Sequence, residues 1–592
     1  MRRAQRGDRV AAALLLGTVL AAVAPGVCRA QADPEEAPEE LFAETLEVQV
    51  VNLEVRVTDR KGRPIQGLDR GDFELYEDGR RVELSHFAEY QGGREAGAGA
   101  GAEAAAESPA PPEAVRGEGP AASSRPTADA LRHFVLFFDL DHLGPAGLRR
   151  VLPDLQGFVE EVLGPGDRVM VVVRQDNLRV VQELTGDREL VAAALDEIAG
   201  IPPRGIQGLT ERRQVLRALR FALEQEGSVE GCTETESYYA EQVVRQHAGA
   251  IRSQVEGTLS ALTSLVRALV GLPGPKVVIY AGEGLEQRPA IDLYQLLMEV
   301  CPVRERDLQI NLFGEDLSSS FQRLTADANA NRVTFYTLDA GGLRTDVSAE
   351  DTDQHVRLST VGQRMRTANL QHPLYLMADE TGGQAIFNTN RFGEELAEVA
   401  LDVETYYSLG FVPAHQGDGR VHHLRVEVRP AHHEARYRVA YRDKPLEERI
   451  VESMLGTLLF GVEDNPLGVE VEVGEAAPGG EGLLEVAVRI RVPLRRVVAT
   501  PGAGFSAGRL RLVLVALDPE GEWTPVRQQE AFFKLPEGQD PAGAFRLFEV
   551  AIELPPGKNV LAVGVRDEIG GETTYLRRSF EATPVRAART DG

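Results

Sequence analysis

The chain has 592 residues, enough for three or four domains with a sizeable core each rather than one. Acidic residues outnumber basic ones by 91 to 64, and the resulting net charge of −27 repels nucleic acid and anionic lipid surfaces, which excludes nucleic-acid binding as a first reading. Three cysteines are too few for a disulfide scaffold and lack the spacing of a zinc site; Cys232 and Cys301 either share one bridge or stand as two buried thiols.

In chain order, Met1-Arg-Arg-Ala-Gln-Arg6 is a basic start, Val10 to Val27 is an apolar run and Ala30-Gln31-Ala32 supplies small residues two apart. This is the three-part layout of a secretory signal peptide over 1–32, and it implies a secreted, periplasmic or envelope protein. No later segment is long and apolar enough to be read as a transmembrane helix. A small N-terminal β-domain is expected over 44–90. There Val51, Leu53, Val55 and Val57 alternate one position out of step with Leu46, Val48 and Val50, and Phe73, Leu75, then Glu77-Asp78-Gly79, then Val82 and Leu84 signal a hairpin. Arg70-Gly71-Asp72 sits in the same turn-rich stretch and is read as coincidence, not as an adhesion tripeptide. From 91 to 130 the composition falls to Ala, Gly, Glu, Pro and Ser, which cannot build a core, so this is a linker.

Strand and helix patterns then interleave. Phe134 to Phe138 is an apolar run suited to a strand buried on both faces, and it ends in Asp139 and Asp141. Arg168–Val173, Leu178–Leu184, Lys276–Ala281, Val333–Leu338 and Gln384–Phe387 supply further strands, which argues for a doubly wound, mostly parallel, Rossmann-like sheet over 131–445, with the helical stretch at about 205–272 an insertion or a long crossover. The two acids then stand at a carboxyl strand end, where open α/β sheets place their ligand crevice. His422-His423 and His432-His433 suggest a metal cluster at first sight, but they flank a short strand in an Arg-rich segment and are read as solvent-exposed. Over 446–585, evenly spaced short strands with turns at Asp518–Gly521 and Pro555–Gly557 read as an Ig-like or fibronectin-like β-sandwich, followed by a tail at 586–592. The fold class is thus multi-domain α/β plus all-β.

Six blocks in order carry a resemblance: Val55–Pro64, Asp72–Gly79, Lys276–Leu285, Asn331–Leu343, Asp379–Asn390 and Tyr406–Pro413. Together they resemble the bacterial VWFA-related family of secreted proteins, whose core is a von Willebrand factor A-like domain; the resemblance covers roughly 45–445. It implies protein–protein binding rather than catalysis, to an unidentified protein ligand. It also implies a metal-ion-dependent adhesion site, in which a hard cation takes oxygen ligands and leaves a position for a partner's carboxylate. Asp139 matches the first position of the Asp-x-Ser-x-Ser loop, but Asp141 and Leu143 replace the two serines, so the site is degenerate. Glu283 takes the place of the later acid and Thr210 that of the threonine, and weak Mg²⁺ or Ca²⁺ binding is expected. Two alternatives stay open. Asp139 and Asp141 also resemble the Asp-x-Asp of a Mg²⁺-dependent haloacid-dehalogenase-type phosphohydrolase, although its other motifs are missing, and the chain could be a passive structural component of the envelope.

Overall fold

The computed structural model describes residues 50–91, 94–95, 132–164, 166–224, 233–272, 274–301, 305–343, 359–415, 417–430, 432–480, 482–501, 504–519, 523–536 and 543–583. The expected signal peptide and most of the expected linker lie outside these residues.

The chain enters through four strands, β1 (Val51–Thr58), β2 (Phe73–Glu77), β3 (Arg80–Val82) and β4 (Leu84–Gln91). Between β2 and β3, Asp78 and Gly79 take positive φ of 47° and 79°, as a two-residue hairpin turn that matches strand twist requires. Arg70-Gly71-Asp72 is a single 3₁₀ turn whose charged ends bond locally, Arg70 to the Leu84 carbonyl and Asp72 Oδ2 to the Asp69 N–H.

The α/β unit follows as β5 (His133–Asp139), α1 (Pro145–Val162), β6 (Arg168–Gln175), β7 (Asn177–Thr185), α2 (Arg188–Ala199), α3 (Gly205–Glu224), α4 (Glu234–Ala268), β8 (Lys276–Gly282), α5 (Ile291–Val300), α6 (Glu305–Gly314), α7 (Ser318–Ala330), β9 (Val333–Asp339), α8 (Thr360–Glu380), β10 (Ala385–Ile386) and α9 (Phe392–Glu404). Its six-stranded sheet runs β10-β9-β8-β5-β6-β7, parallel except for the antiparallel edge strand β7. In order of appearance this is 3-2-1-4-5-6, the doubly wound arrangement, with the strand order reversing between β5 and β8. The expected strands of this sheet are all present. Phe134, Leu136 and Phe138 pack with α1, α2 and α9 on one face, while Val135 and Phe137 pack with α4, α7 and α8 on the other, so the continuous apolar run follows from burial on both sides. Of the two readings of the helical stretch, the structure has the long crossover. The first half of α4 packs through Ala240, Val244 and Ala248 on α5, and its second half brings Val255, Leu259 and Leu262 onto the sheet as the crossover to β8.

After α9 the chain returns as β11 (Tyr406–Phe411), β12 (Val421–Val428), β13 (Glu434–Arg436) and β14 (Ala440–Arg442). These strands pair with the N-terminal ones: β13-β1-β11-β4 form one sheet, and β14-β12-β2-β3 the other. Leu53, Val55, Leu75, Leu409 and Phe411 fill the space between. The stretch expected to be an N-terminal β-domain is therefore one half of a sandwich whose other half is encoded beyond the α/β unit.

Helix α10 (Leu446–Phe460) then lies between units. Gly456 meets Gly271 of the α/β unit so closely that a β-carbon on it would stand 2.3 Å from the Gly271 carbonyl oxygen. Its opposite side packs Ile450, Met454 and Leu458 on the C-terminal strands. Those strands, β15 (Glu470–Pro478), β16 (Leu484–Pro493), β17 (Phe505–Leu517), β18 (Arg527–Pro536), β19 (Phe545–Leu554), β20 (Gly557–Asp567) and β21 (Thr573–Ala582), form two antiparallel sheets, β15-β16-β19 and β18-β17-β20-β21, over a shared apolar core.

Candidate functional site

The crevice at the point of strand reversal is built from the carboxyl ends of β5 and β8. Asp139, the last residue of β5, is fully buried. Its Oδ2 accepts hydrogen bonds from Thr258 Oγ1 at 3.0 Å and the Tyr280 hydroxyl at 2.9 Å, and lies 2.9 Å from His142 Nδ1. Its Oδ1 faces Arg174 Nη1 at 3.6 Å. The same guanidinium donates to Asp141, whose Oδ2 also accepts the Asp176 N–H at 3.0 Å, and Arg204 approaches the other Asp141 oxygen at 3.9 Å while pairing with Asp176. Burial by itself would push the Asp139 carboxyl up, but His142, Arg174 and the Tyr280 hydroxyl together outweigh it and hold the group at about 2. Burial, reinforced by the Asp139 charge, drives Tyr280 the other way, well above the ordinary range, so its hydroxyl keeps the proton it donates.

The other sequence candidates sit apart from this pair. Glu283 follows β8, but its Oε1 accepts the Gly144 N–H at 2.9 Å, so the carboxylate caps the start of α1, where anions are favoured. No choice of one oxygen from each of Asp139, Asp141 and Glu283 brings all three within 4.8 Å of one another. Leu143 is buried in the core beneath α1. Thr210 is exposed on α3, and the threonine whose hydroxyl reaches Asp139 is Thr258 of α4.

The cation required by the paired acids is thus supplied by the chain itself. Asp139 Oδ2 is engaged by three neighbours, its buried Oδ1 has no hydrogen-bond partner and faces Arg174 at 3.6 Å, and the guanidinium between the two carboxylates repels a divalent ion there. Arg174 was missed in the sequence although a signal existed. It ends the apolar run of β6 as Asp139 ends that of β5, and the two are register partners across the parallel pair. Gly257 makes the fit possible, because a β-carbon there would lie 2.5 Å from Arg174 Nη2. Thr258 had no comparable signal, since it lies among many polar positions of a long helix.

One sequence reading is corrected. His422 is buried, not exposed, while His423 and His432 are exposed as expected and His433 is half-buried. Cys301 is buried and disulfide-bonded; Cys232 lies outside the described residues.

No family model matches this chain, and no curated protein matches it. Among solved structures, it is similar over 46% of its length to an aerotolerance-related membrane protein of Bacteroides fragilis, covering 97% of that chain at 12% identity and a TM-score of 0.21. It is similar over 46% to BatB of Bacteroides thetaiotaomicron, covering 98% of that chain at 11% identity and a TM-score of 0.21. It is similar over 76% to the ArnB paralog VWA2 of Sulfolobus acidocaldarius, covering 66% of that chain at 9% identity and a TM-score of 0.18.

Proposed function

We propose that this chain is a secreted or envelope-associated von Willebrand factor A-like protein that acts by binding another protein through the crevice face of its doubly wound unit, without a metal ion in that crevice. The observation that carries the reading is Arg174 between Asp139 and Asp141. A phosphohydrolase of the Asp-x-Asp kind needs a carboxylate oxygen presented to substrate and Mg²⁺, whereas Asp139 is fully buried, with three hydrogen-bonding neighbours on Oδ2 and the Arg174 guanidinium facing Oδ1. An adhesion site of the usual kind needs an incomplete shell of oxygens around a cation, and here the positive charge is a fixed guanidinium. What the face offers a partner is shape and exposed side chains, such as Leu343, 63% exposed just beyond β9. The bridge at Cys301 supports an oxidising compartment, where disulfides persist.

The test is a pull-down from envelope extracts with the wild-type chain and with Leu343→Asp. The reading expects a partner recovered by the first and lost by the second, in the presence of chelator as well as without it. Recovery that needs added Mg²⁺ would restore the metal-dependent reading. Phosphatase turnover abolished by Asp139→Asn would make the chain an enzyme.

A further inference from the structure

A second cluster of ionisable groups lies in the sandwich, far along the chain from the crevice. It gathers Glu77 and Asp78 from the β2–β3 hairpin, His415 and Asp418 from the loop after β11, His422 from β12, and Tyr441 and Asp443 at β14. Four carboxylates meet two imidazoles here, and among the described residues no lysine or arginine forms an ion pair with any of the four. The contrast with Asp139 and Asp141, each paired by Arg174, is direct.

The two histidines repeat one pattern. His415 Nδ1 lies 2.9 Å from Asp443 Oδ2, and His422 Nδ1 lies 2.8 Å from Asp78 Oδ2. A carboxylate can only accept, so each Nδ1 carries a proton, and each Nε2 is either a second donor, as in an imidazolium, or a lone pair open to a cation. Each Nε2 faces another carboxylate oxygen at 3.3 Å, Glu77 Oε1 for His415 and Asp418 Oδ1 for His422. A carboxylate oxygen facing Nε2 calls for positive charge there, supplied by a second proton on the ring or by a cation held between the two. Buried His415 Nε2 and Oδ1 of the fully buried Asp443 have no hydrogen-bond partner.

From this geometry we infer that Glu77, His415 and His422 form a binding site for a divalent transition-metal ion of the Zn²⁺ class, with Asp443 and Asp78 as the outer carboxylates that orient the imidazoles. One ligand atom from each of the three lies within 4.8 Å of the others. Tetrahedral Zn²⁺ with bonds of about 2.0–2.1 Å holds neighbouring ligands about 3.3 Å apart, the separation found between His415 Nε2 and Glu77 Oε1. A carboxylate behind each ligating imidazole is the usual arrangement of such sites, and mixed imidazole and carboxylate donors select Zn²⁺ over Mg²⁺ or Ca²⁺. The two rings are stacked, 3.8 Å between centroids, so a shared ion requires one to tilt; His415, on the loop and 26% exposed, has the room. Bound there, the ion staples the N-terminal hairpin to strands more than 300 residues later, as His422 and Asp78 already do across 344 positions.

The experiment uses the full chain, stripped with chelator, titrated with Zn²⁺ and separately with Mg²⁺ by calorimetry, and followed by thermal unfolding. One Zn²⁺ per chain and a raised Tm are expected, with no effect of Mg²⁺. His415→Ala and Glu77→Gln abolish binding, Asp443→Asn weakens it roughly 10- to 100-fold, and His432→Ala leaves it unchanged. Should the first two variants fail to fold by circular dichroism, the visible spectrum of the Co²⁺-loaded wild type decides, a tetrahedral spectrum supporting the site and an octahedral one overturning it. Absence of Zn²⁺ binding to the wild type, binding undiminished in His415→Ala, or stability that follows pH but not Zn²⁺ would overturn the proposal, the last outcome assigning the position to protons.

Discussion

Gly257 on α4 leaves the space that the Arg174 guanidinium fills, and a β-carbon there would stand 2.5 Å from Nη2. Two effects oppose each other in Gly257→Ala. A helix-interior alanine gains roughly 1 kcal/mol over glycine, whereas displacing Arg174 leaves Asp139 and Asp141 short of their cation. Removing one partner of a buried ion pair costs about 3–5 kcal/mol, so the loss wins. Urea unfolding should show Gly257→Ala destabilised by about 1–3 kcal/mol and Arg174→Ala by more. A stabilised Gly257→Ala would mean that the guanidinium has another route to the acids.

The strands of the α/β unit were legible because their cause is local. Phe134–Phe138 and Val169–Val173 are apolar runs whose length and ends can be read directly, and Asp139 at a strand end follows from the first of them. What neutralises Asp139 was legible only for Arg174, which ends an apolar run as Asp139 does; Thr258 and Tyr280 come from two further elements brought to it only by strand order and helix packing. The same holds for the sandwich. The alternation of Leu53, Val55 and Val57 specifies a buried face but not the strand that pairs with it, and the partner β11 lies across the whole α/β unit.

Acid should find the crevice. Asp139 is held at about 2 against an ordinary 3.8, so the stability it contributes is fully present above pH 4 and is lost as pH falls through about 2. The difference is worth about 2 kcal/mol. Glu54 adds to the same limb, because Arg332 and Arg438 outweigh its burial and hold it at about 2 against 4.5. Unfolding free energy measured from pH 5 to pH 2 should fall, and fall less steeply in Asp139→Asn; parallel curves would remove Asp139 from the acid response.

Glu283 acts as a helix cap here rather than a metal ligand. Glu283→Ala should cost about 1 kcal/mol by leaving the Gly144 N–H at the start of α1 without its acceptor. Calorimetry with Mg²⁺ or Ca²⁺ should give the same trace for wild type and variant. A cation-binding heat lost in Glu283→Ala would instead place this acid in a metal site.

The last prediction concerns how the halves of the sandwich hold together. Strand β1 is hydrogen-bonded on both sides by strands that follow the α/β unit, β11 along Val51–Val55 and β13 along Arg56–Thr58. Val51, Leu53, Val55, Val57, Phe73, Leu75 and Leu84 are buried against Tyr407, Leu409, Phe411, Leu424, Val426 and Tyr441. Each such side chain is worth about 1.5–3 kcal/mol on burial, so together they exceed the entropy of holding two separate chains, roughly 4–15 kcal/mol. A single cut between 91 and 130 should therefore leave the fragments associated on size exclusion in native buffer and separate them only in denaturant. Conversely, the segment 131–445 expressed alone lacks β1–β4, leaves both edges of β11 unpaired and exposes Leu409 and Phe411; it should aggregate, as unpaired strand edges do, while 44–445 stays soluble. A soluble, monomeric 131–445 segment would mean that β11–β14 complete the α/β unit without the N-terminal strands.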